Sequence, residues 1–216
     1  MNLNNELRYK GMRNKLADGL KIKGIRNEKV LDAIKNVPRH LFMESTFINF
    51  AYKDQAFPIG AGQTISQPYT VAFQTQLLQV EKNDKILEIG TGSGYQAAVL
   101  CELGAKVFSI ERQRELHLKV QTFLPEIGYN PACFFGDGTK GLPAFAPFDK
   151  ILVTAGAPVV PDDLKQQLKI GGRMVIPVGN EKRQEMLLII RVSEEDYKVE
   201  KHGAFVFVPM LKGVVN

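Results

Sequence analysis

Lys85-Ile86-Leu87-Glu88-Ile89-Gly90-Thr91-Gly92-Ser93-Gly94-Tyr95-Gln96-Ala97-Ala98 is the stretch whose reading decides the fold. A short apolar run ends in an acid, three glycines alternate with small residues, and a helix-forming run follows. Such a pattern predicts a buried strand feeding a tight turn at a helix N-terminus. Missing side chains there let a ligand approach the backbone, and free N–H groups make a polar cradle. The spacing is Gly-x-Gly-x-Gly, whereas the dinucleotide fingerprint Gly-x-Gly-x-x-Gly needs one more residue before its third glycine. That difference favours a nucleoside ligand without a pyrophosphate.

Downstream of this turn, strand and helix alternate. Strands are expected at Ile86–Ile89, Lys106–Ile110, Ala132–Phe135, Lys150–Thr154 and Arg173–Pro177, with helices at Gln96–Leu103, Arg114–Leu124 and Asp162–Leu168 between them. Alternation of this kind implies an α/β, doubly wound and mostly parallel sheet with helices on both faces. Met186–Val192 and Phe205–Val208 read as two more strands, joined through the charged stretch Ser193–Lys201, so at least one of them is expected to run antiparallel. Upstream, residues 6–24 and Glu28–Asn36 read as amphipathic helices, the second with Asn27 as N-cap and Pro38 as stop. Arg39–Asp54 reads as a short helix and turns, and Tyr69–Val80 as another helix. Between them, Phe57–Pro68 is a loop rich in Gly, Pro, Thr and Ser with little charge, the mark of a segment that is packed or meets a ligand. The expectation is one domain over 1–216, with a mainly helical N-terminal part (1–80) carrying the 57–68 loop and an α/β core with C-terminal strands (81–216).

In open α/β sheets, ligands bind at the carboxyl ends of the strands where the order reverses. Here the first strand ends in Glu88 and the glycine turn, and the second in Glu111, suited to the two hydroxyls of a ribose. The third ends in Gly136-Asp137-Gly138, whose acid could accept from an adenine amino group, and the fourth in the small residues Thr154-Ala155-Gly156-Ala157-Pro158. S-adenosylmethionine offers an ammonium, a sulfonium and a ribose diol, and lacks the phosphates that acids repel. An NAD pyrophosphate would meet Glu88 beside the turn.

With these residues in view, the chain resembles the class I S-adenosylmethionine-dependent methyltransferases, and more specifically the protein-L-isoaspartate O-methyltransferase family. The resemblance also rests on Val37-Pro38-Arg39-His40-Leu41-Phe42, Gly62-Gln63-Thr64-Ile65-Ser66-Gln67-Pro68, Val153-Thr154-Ala155 with Ala157-Pro158, Gly171-Gly172-Arg173 and Phe207-Val208-Pro209. It implies a seven-stranded Rossmann-like sheet with an N-terminal helical extension. It implies methyl transfer from S-adenosylmethionine, leaving S-adenosylhomocysteine, to the free carboxylate of isoaspartyl residues in damaged proteins and peptides, which starts repair through a succinimide. On the site, it implies that the Thr-Ile-Ser-x-Pro loop covers the cofactor, with Gln63, Thr64 and Ile65 near it and Ser66 as the catalytic residue. Glu88, Gly90 and Gly92 would hold the methionine end, Glu111 and the adjacent Arg112 the ribose, and Asp137 and Gly138 the adenine. Ser66, Val208 and Pro209 would meet the substrate. One departure stands out: where some members have a histidine-rich stretch after Ser-x-Pro, this chain has Tyr69-Thr70-Val71-Ala72, so no role of those histidines carries over.

A carboxylate acceptor is ionised near neutral pH, so the reaction needs positioning and exclusion of water more than a general base. The 216 residues, 44% hydrophobic and 24% charged, suit an ordinary globular chain. The net charge of +5 is spread along the chain with alternating sign, which argues against a nucleic-acid partner. No apolar run is long enough to span a membrane and no signal-peptide core is present. Cys101 and Cys133 lie far apart in apolar segments and read as buried reduced thiols, with no metal site. The expectation is a cytoplasmic monomer. Thr91 stands where a Gly-x-Ser-x-Gly nucleophile elbow around Ser93 needs its first glycine, which excludes that chemistry. His40, His117 and His202 read as surface or capping groups. Two rival functions share the cofactor half: a methyltransferase acting on RNA or a small molecule, and a non-catalytic cofactor- or peptide-binding module.

Overall fold

The computed structural model describes residues 3–216. The central sheet has seven strands: β3 (Lys85–Ile89), β4 (Lys106–Glu111), β5 (Ala132–Phe135), β6 (Phe148–Val153), β7 (Leu168–Asn180), β8 (Arg183–Arg191) and β9 (Tyr197–Phe205). Their spatial order is β5-β4-β3-β6-β7-β8-β9. β3, β4, β5, β6 and β7 are parallel neighbours, whereas β8 runs antiparallel to both β7 and β9. Sequence order reverses at the β3–β6 junction, which fixes where a ligand crevice opens.

Ile86, Leu87, Glu88 and Ile89 are all buried because helices cover both faces of the central strand. Leu87 and Ile89 join Ile110, Ile151, Val153, Met174 and Leu164 of α6 (Asp162–Gln166) on one face. The alternate residues Ile86, Val107, Leu152 and Val175 pack on the other face against Leu78 of α3 (Pro68–Leu78) and against Ala97 and Leu100 of α4 (Tyr95–Glu102). The N-terminal helices α1 (Leu3–Ile22) and α2 (Glu28–Asn36) add a third cluster. There Leu20, Leu31 and Ile34 meet Val99 of α4 and Val120 of α5 (Arg114–Glu126). Asn27 caps α2 as expected, its side chain accepting from Val30 N at 3.3 Å.

Three segments and two histidines depart from the sequence reading. The uncharged Phe57–Pro68 loop contains a hairpin, β1 (Phe57–Gly60) with β2 (Gln63–Ile65), whose Ile59 and Ile65 are buried. β7 begins at Leu168 and runs through Gly171-Gly172. A Cβ on Gly172 would come within 2.7 Å of Lys169 O, so the glycine permits this passage. The last strand is Tyr197–Phe205, not Phe205–Val208. Much of the charged stretch expected as a connector is therefore an edge strand, where charges are tolerated because one side has no neighbouring strand. His40 and His117 are buried instead of exposed, and His40 Nδ1 lies 2.6 Å from the Tyr52 hydroxyl.

Candidate active site

At the carboxyl end of β3, the glycine turn takes the shape its residues allow. Gly90, Gly92 and Gly94 have φ of 94°, 54° and 83°, in the left-handed region that favours glycine. A Cβ on Gly90 would meet Thr154 Oγ1 at 2.6 Å. That hydroxyl donates to the carbonyls of Ile89 (2.9 Å) and Gly90 (2.7 Å), so the end of β6 fastens the turn. Glu111, at the end of β4, accepts from Gly92 N (2.8 Å) through one oxygen and from Gln113 N (2.9 Å) through the other. Each carboxylate oxygen keeps a second lone pair for a diol.

These elements surround a cleft of about 810 Å³, open mouth included, at the order reversal of the sheet. Gln63, Thr64, Ile65, Ser66, Gly90, Gly92, Glu111, Arg112, Gly138, Val208 and Pro209 all line it. Segments far apart in sequence thus converge on one space. Ser66 is held from behind by Arg39, which is fully buried and donates to the carbonyls of Ser66 (2.9 Å), Ala51 (3.0 Å) and Gln55 (3.4 Å). The Arg39 guanidinium also stands 4.8 Å from the centre of the Tyr95 ring, itself a wall of the cleft. Residues 208–215 form a strap across the strand ends. Gly156 N donates to Val208 O, Met210 N to Gly156 O, Gly213 N to Asp137 Oδ2, and Val215 N to Arg112 O. Arg112 completes the attachment by donating to the carbonyls of Gly213 (3.2 Å) and Lys212 (3.4 Å).

A family model, Protein-L-isoaspartate(D-aspartate) O-methyltransferase (PCMT), matches residues 11–215. The chain belongs to this family. The protein-L-isoaspartate O-methyltransferase of Christiangramia forsetii is 61% identical over 95% of this chain and 96% of its own. Its namesake in Flavobacterium psychrophilum is 59% identical over the same shares. A solved protein-L-isoaspartate O-methyltransferase is 30% identical with a TM-score of 0.82, covering 91% of this chain; the chain spans 65% of that protein's length. A Plasmodium falciparum protein solved in complex with S-adenosyl-L-homocysteine shares the fold at a TM-score of 0.79 and 21% identity, over 93% of this chain and 99% of its own.

Within this isoaspartate methyltransferase frame, Glu88 and Asp137 differ from what the resemblance implied, because neither lines the cleft. Strand alternation points Glu88 to the same face as Ile86, beneath α3 and α4. There it is fully buried and accepts from the Ser109 hydroxyl at 2.5 Å, and Ser109 shares a 2.6 Å hydrogen bond with Thr91 of the glycine turn. Burial pushes its carboxyl up to about 8, against the opposing Ser109 hydrogen bond and with help from the Glu111 charge. Glu88 therefore reaches the cleft only through Ser109 and Thr91. Asp137 spends one oxygen on Thr139 N (2.9 Å) and Oγ1 (2.7 Å) and the other on Gly213 N (2.7 Å). It fastens the strap.

Sequence reading missed several walls of the cleft, among them Thr91, Tyr95, Gln96, Met210 and Leu211. Tyr95 and Gln96 open α4 directly after the glycines, so adjacency to the turn was an available signal. Met210 and Leu211 carried none, since they reach the cleft only through the strap's pairing with Gly156. The cysteines stand apart from this chemistry. Burial pushes the Cys101 thiol up to about 12 and the Cys133 thiol up to about 11, so both remain protonated. Among the described residues no group of three or more His, Cys, Asp or Glu is placed to hold a metal ion, and no helix is long and apolar enough to cross a membrane.

Proposed function

We infer that this chain transfers the methyl group of S-adenosylmethionine to the free carboxylate of isoaspartyl residues in proteins and peptides. The observation that carries the reading is the meeting of the Gln63–Ser66 segment with the glycine turn and Glu111 around one cleft, in a chain of this family. The cleft suits the donor chemically. Its floor is the glycine turn, where Gly90 and Gly92 carry no Cβ, and its strand-end acid, Glu111, is suited to the two hydroxyls of a ribose. When bound, S-adenosylmethionine supplies a methyl carbon made electrophilic by a sulfonium.

In this reading Gly90 and Gly92 admit the methionine end, Glu111 holds the ribose hydroxyls, and Gly138 with Ile110 borders the base. Gly138 is fitted to that place because a Cβ would collide with Ile89 Cγ2 at 2.4 Å. Ser66 acts as a hydrogen-bond donor that orients the acceptor carboxylate, which is already ionised and needs no base. Arg39 fixes the Ser66 backbone, and Val208 and Pro209 close the substrate side. Together these walls exclude water that would solvate the two ions and raise the barrier to their neutralisation. The methyl ester leaves the enzyme and closes to a succinimide without further help, the backbone amide nitrogen attacking the ester carbonyl and expelling methanol. We read the chain as one domain that works as a monomer in the cytoplasm; the unpaired Cys101 and Cys133 suit a reducing compartment.

The test uses a synthetic isoaspartyl peptide, its aspartyl twin and labelled donor. Base-labile methyl ester should form on the first peptide alone, and label on neither would refute the reading. Ser66→Ala should lower kcat by about 10- to 100-fold with S-adenosylhomocysteine affinity nearly intact. Loss of that affinity would overturn the role given to Ser66.

A further inference from the structure

The active-site segment has two sides. Ser66 lines the cofactor cleft, and the next residue, Gln67, lines a second and more open groove. The strand-like segment opposite divides in the same way, with Val208 on the cleft and Val206 on the groove. The wall between the two spaces is thus only one or two residues thick. The groove therefore lies directly beside the residue that faces the acceptor carboxylate.

The groove has an aromatic floor and a cationic rim. Tyr69 stacks on Phe73 with ring centres 5.6 Å apart, and Phe73 meets Phe205 at 5.2 Å. Lys182 and Arg183 form the rim, exposed at the β7–β8 turn, with His202 beside them. Among the described residues neither Lys182 nor Arg183 takes part in an ion pair. Glu181 and Glu185 stand in and beside the same turn but do not line the groove, whose lining holds no carboxylate. Glu185 accepts from Gly203 N at 2.8 Å, and Glu200 is paired with Lys198 at 2.8 Å and with His202 at 3.4 Å. The charged side chains that line the groove beside its aromatic floor are thus the cations Lys182 and Arg183, with His202.

We propose that this groove seats the residues flanking the isoaspartyl residue and selects peptides that carry an acidic side chain there. The proposal rests on the isoaspartyl reading of the adjoining cleft. The aromatic floor takes the backbone and aliphatic parts of an extended chain, and Lys182 and Arg183 attract its carboxylate. Selectivity of this kind is expressed mainly in KM and weakens as salt screens the rim.

The experiment compares isoaspartyl peptides identical except for Glu, Gln or Lys at one flanking position, tested in turn on each side. On one side the unmodified enzyme should show kcat/KM about tenfold higher for the Glu peptide than for the Lys peptide at low salt. The ratio should shrink towards one at 1 M salt. In the double variant Lys182→Glu/Arg183→Glu the order should invert. Equal kcat/KM for all three peptides, or an order unmoved by the double substitution, overturns the proposal. Absence of methylation on every peptide, with S-adenosylhomocysteine still bound by calorimetry, instead refutes the isoaspartyl reading and the groove's role with it.

Discussion

Replacing Glu88 by Gln isolates the cost of an acid enclosed between sheet and helices. Glu88 is fully buried and its carboxyl is pushed up to about 8, first by burial, so the folded chain keeps the proton over a range in which the unfolded chain loses it. The folded state binds more protons than the unfolded state between about pH 4.5 and about pH 8, so stability falls as pH rises through this window and levels off above it. At about 1.4 kcal/mol per pH unit, the whole interval amounts to at most about 5 kcal/mol. Gln cannot ionise and retains an oxygen to accept from Ser109. Unfolding free energies from urea titrations should therefore agree for the two proteins to within about 1 kcal/mol at pH 5. At pH 8.5 the variant should be more stable by several kcal/mol. Parallel pH profiles would refute the argument. S-adenosylhomocysteine affinity should change less than about threefold, because Glu88 meets the cleft only through Ser109 and Thr91. A loss of a hundredfold would mean that the side chain touches the ligand.

Gly90→Ala should cost about 1–3 kcal/mol and at least tenfold in S-adenosylhomocysteine affinity by calorimetry, because the added Cβ meets Thr154 Oγ1 at 2.6 Å with φ at 94°. Arg39→Met removes every guanidinium donor to the Ser66, Ala51 and Gln55 carbonyls, so about 3 kcal/mol of stability should be lost. Its kcat should fall more than its cofactor affinity, and Arg39→Lys should restore only part of either because an ammonium lacks the planar fork. Arg112→Ala loses two hydrogen bonds to the strap, and stopped-flow release of S-adenosylhomocysteine should become several-fold faster. An unchanged release rate would show that the strap does not restrain the ligand.

The parts of this molecule readable from sequence were those governed by local chemistry. Three alternating glycines between an apolar run and a helix admit few conformations, and Glu111 at the next strand end completes a recurring geometry. Glu88 escaped because β3 is covered on both faces. A strand of that kind has no polar-apolar alternation to say which way an acid points. Asp137 escaped because an acid before Gly-Thr can equally well cap a turn or face a ligand, and here it does the former. β9 was misplaced because an edge strand tolerates the same charges as a connector. The hairpin at Phe57–Ile65 hid behind its own glycines. For Glu88 and for the strap end of Asp137 the deciding partners, Ser109 and Gly213, lie 21 and 76 positions away.

The strap has a consequence for when the cleft comes into being. Gly213 is tied to Arg112 across 101 positions and to Asp137 across 76. The wall made by Met210 and Leu211 hangs on contacts of high sequence separation, each of which must offset a large loop entropy to close. With the strap detached, the donor would meet an open shelf in place of an enclosed chamber. Tight retention of the ligand becomes a reading of completed folding, which ties this enzyme's competence to its own structural integrity.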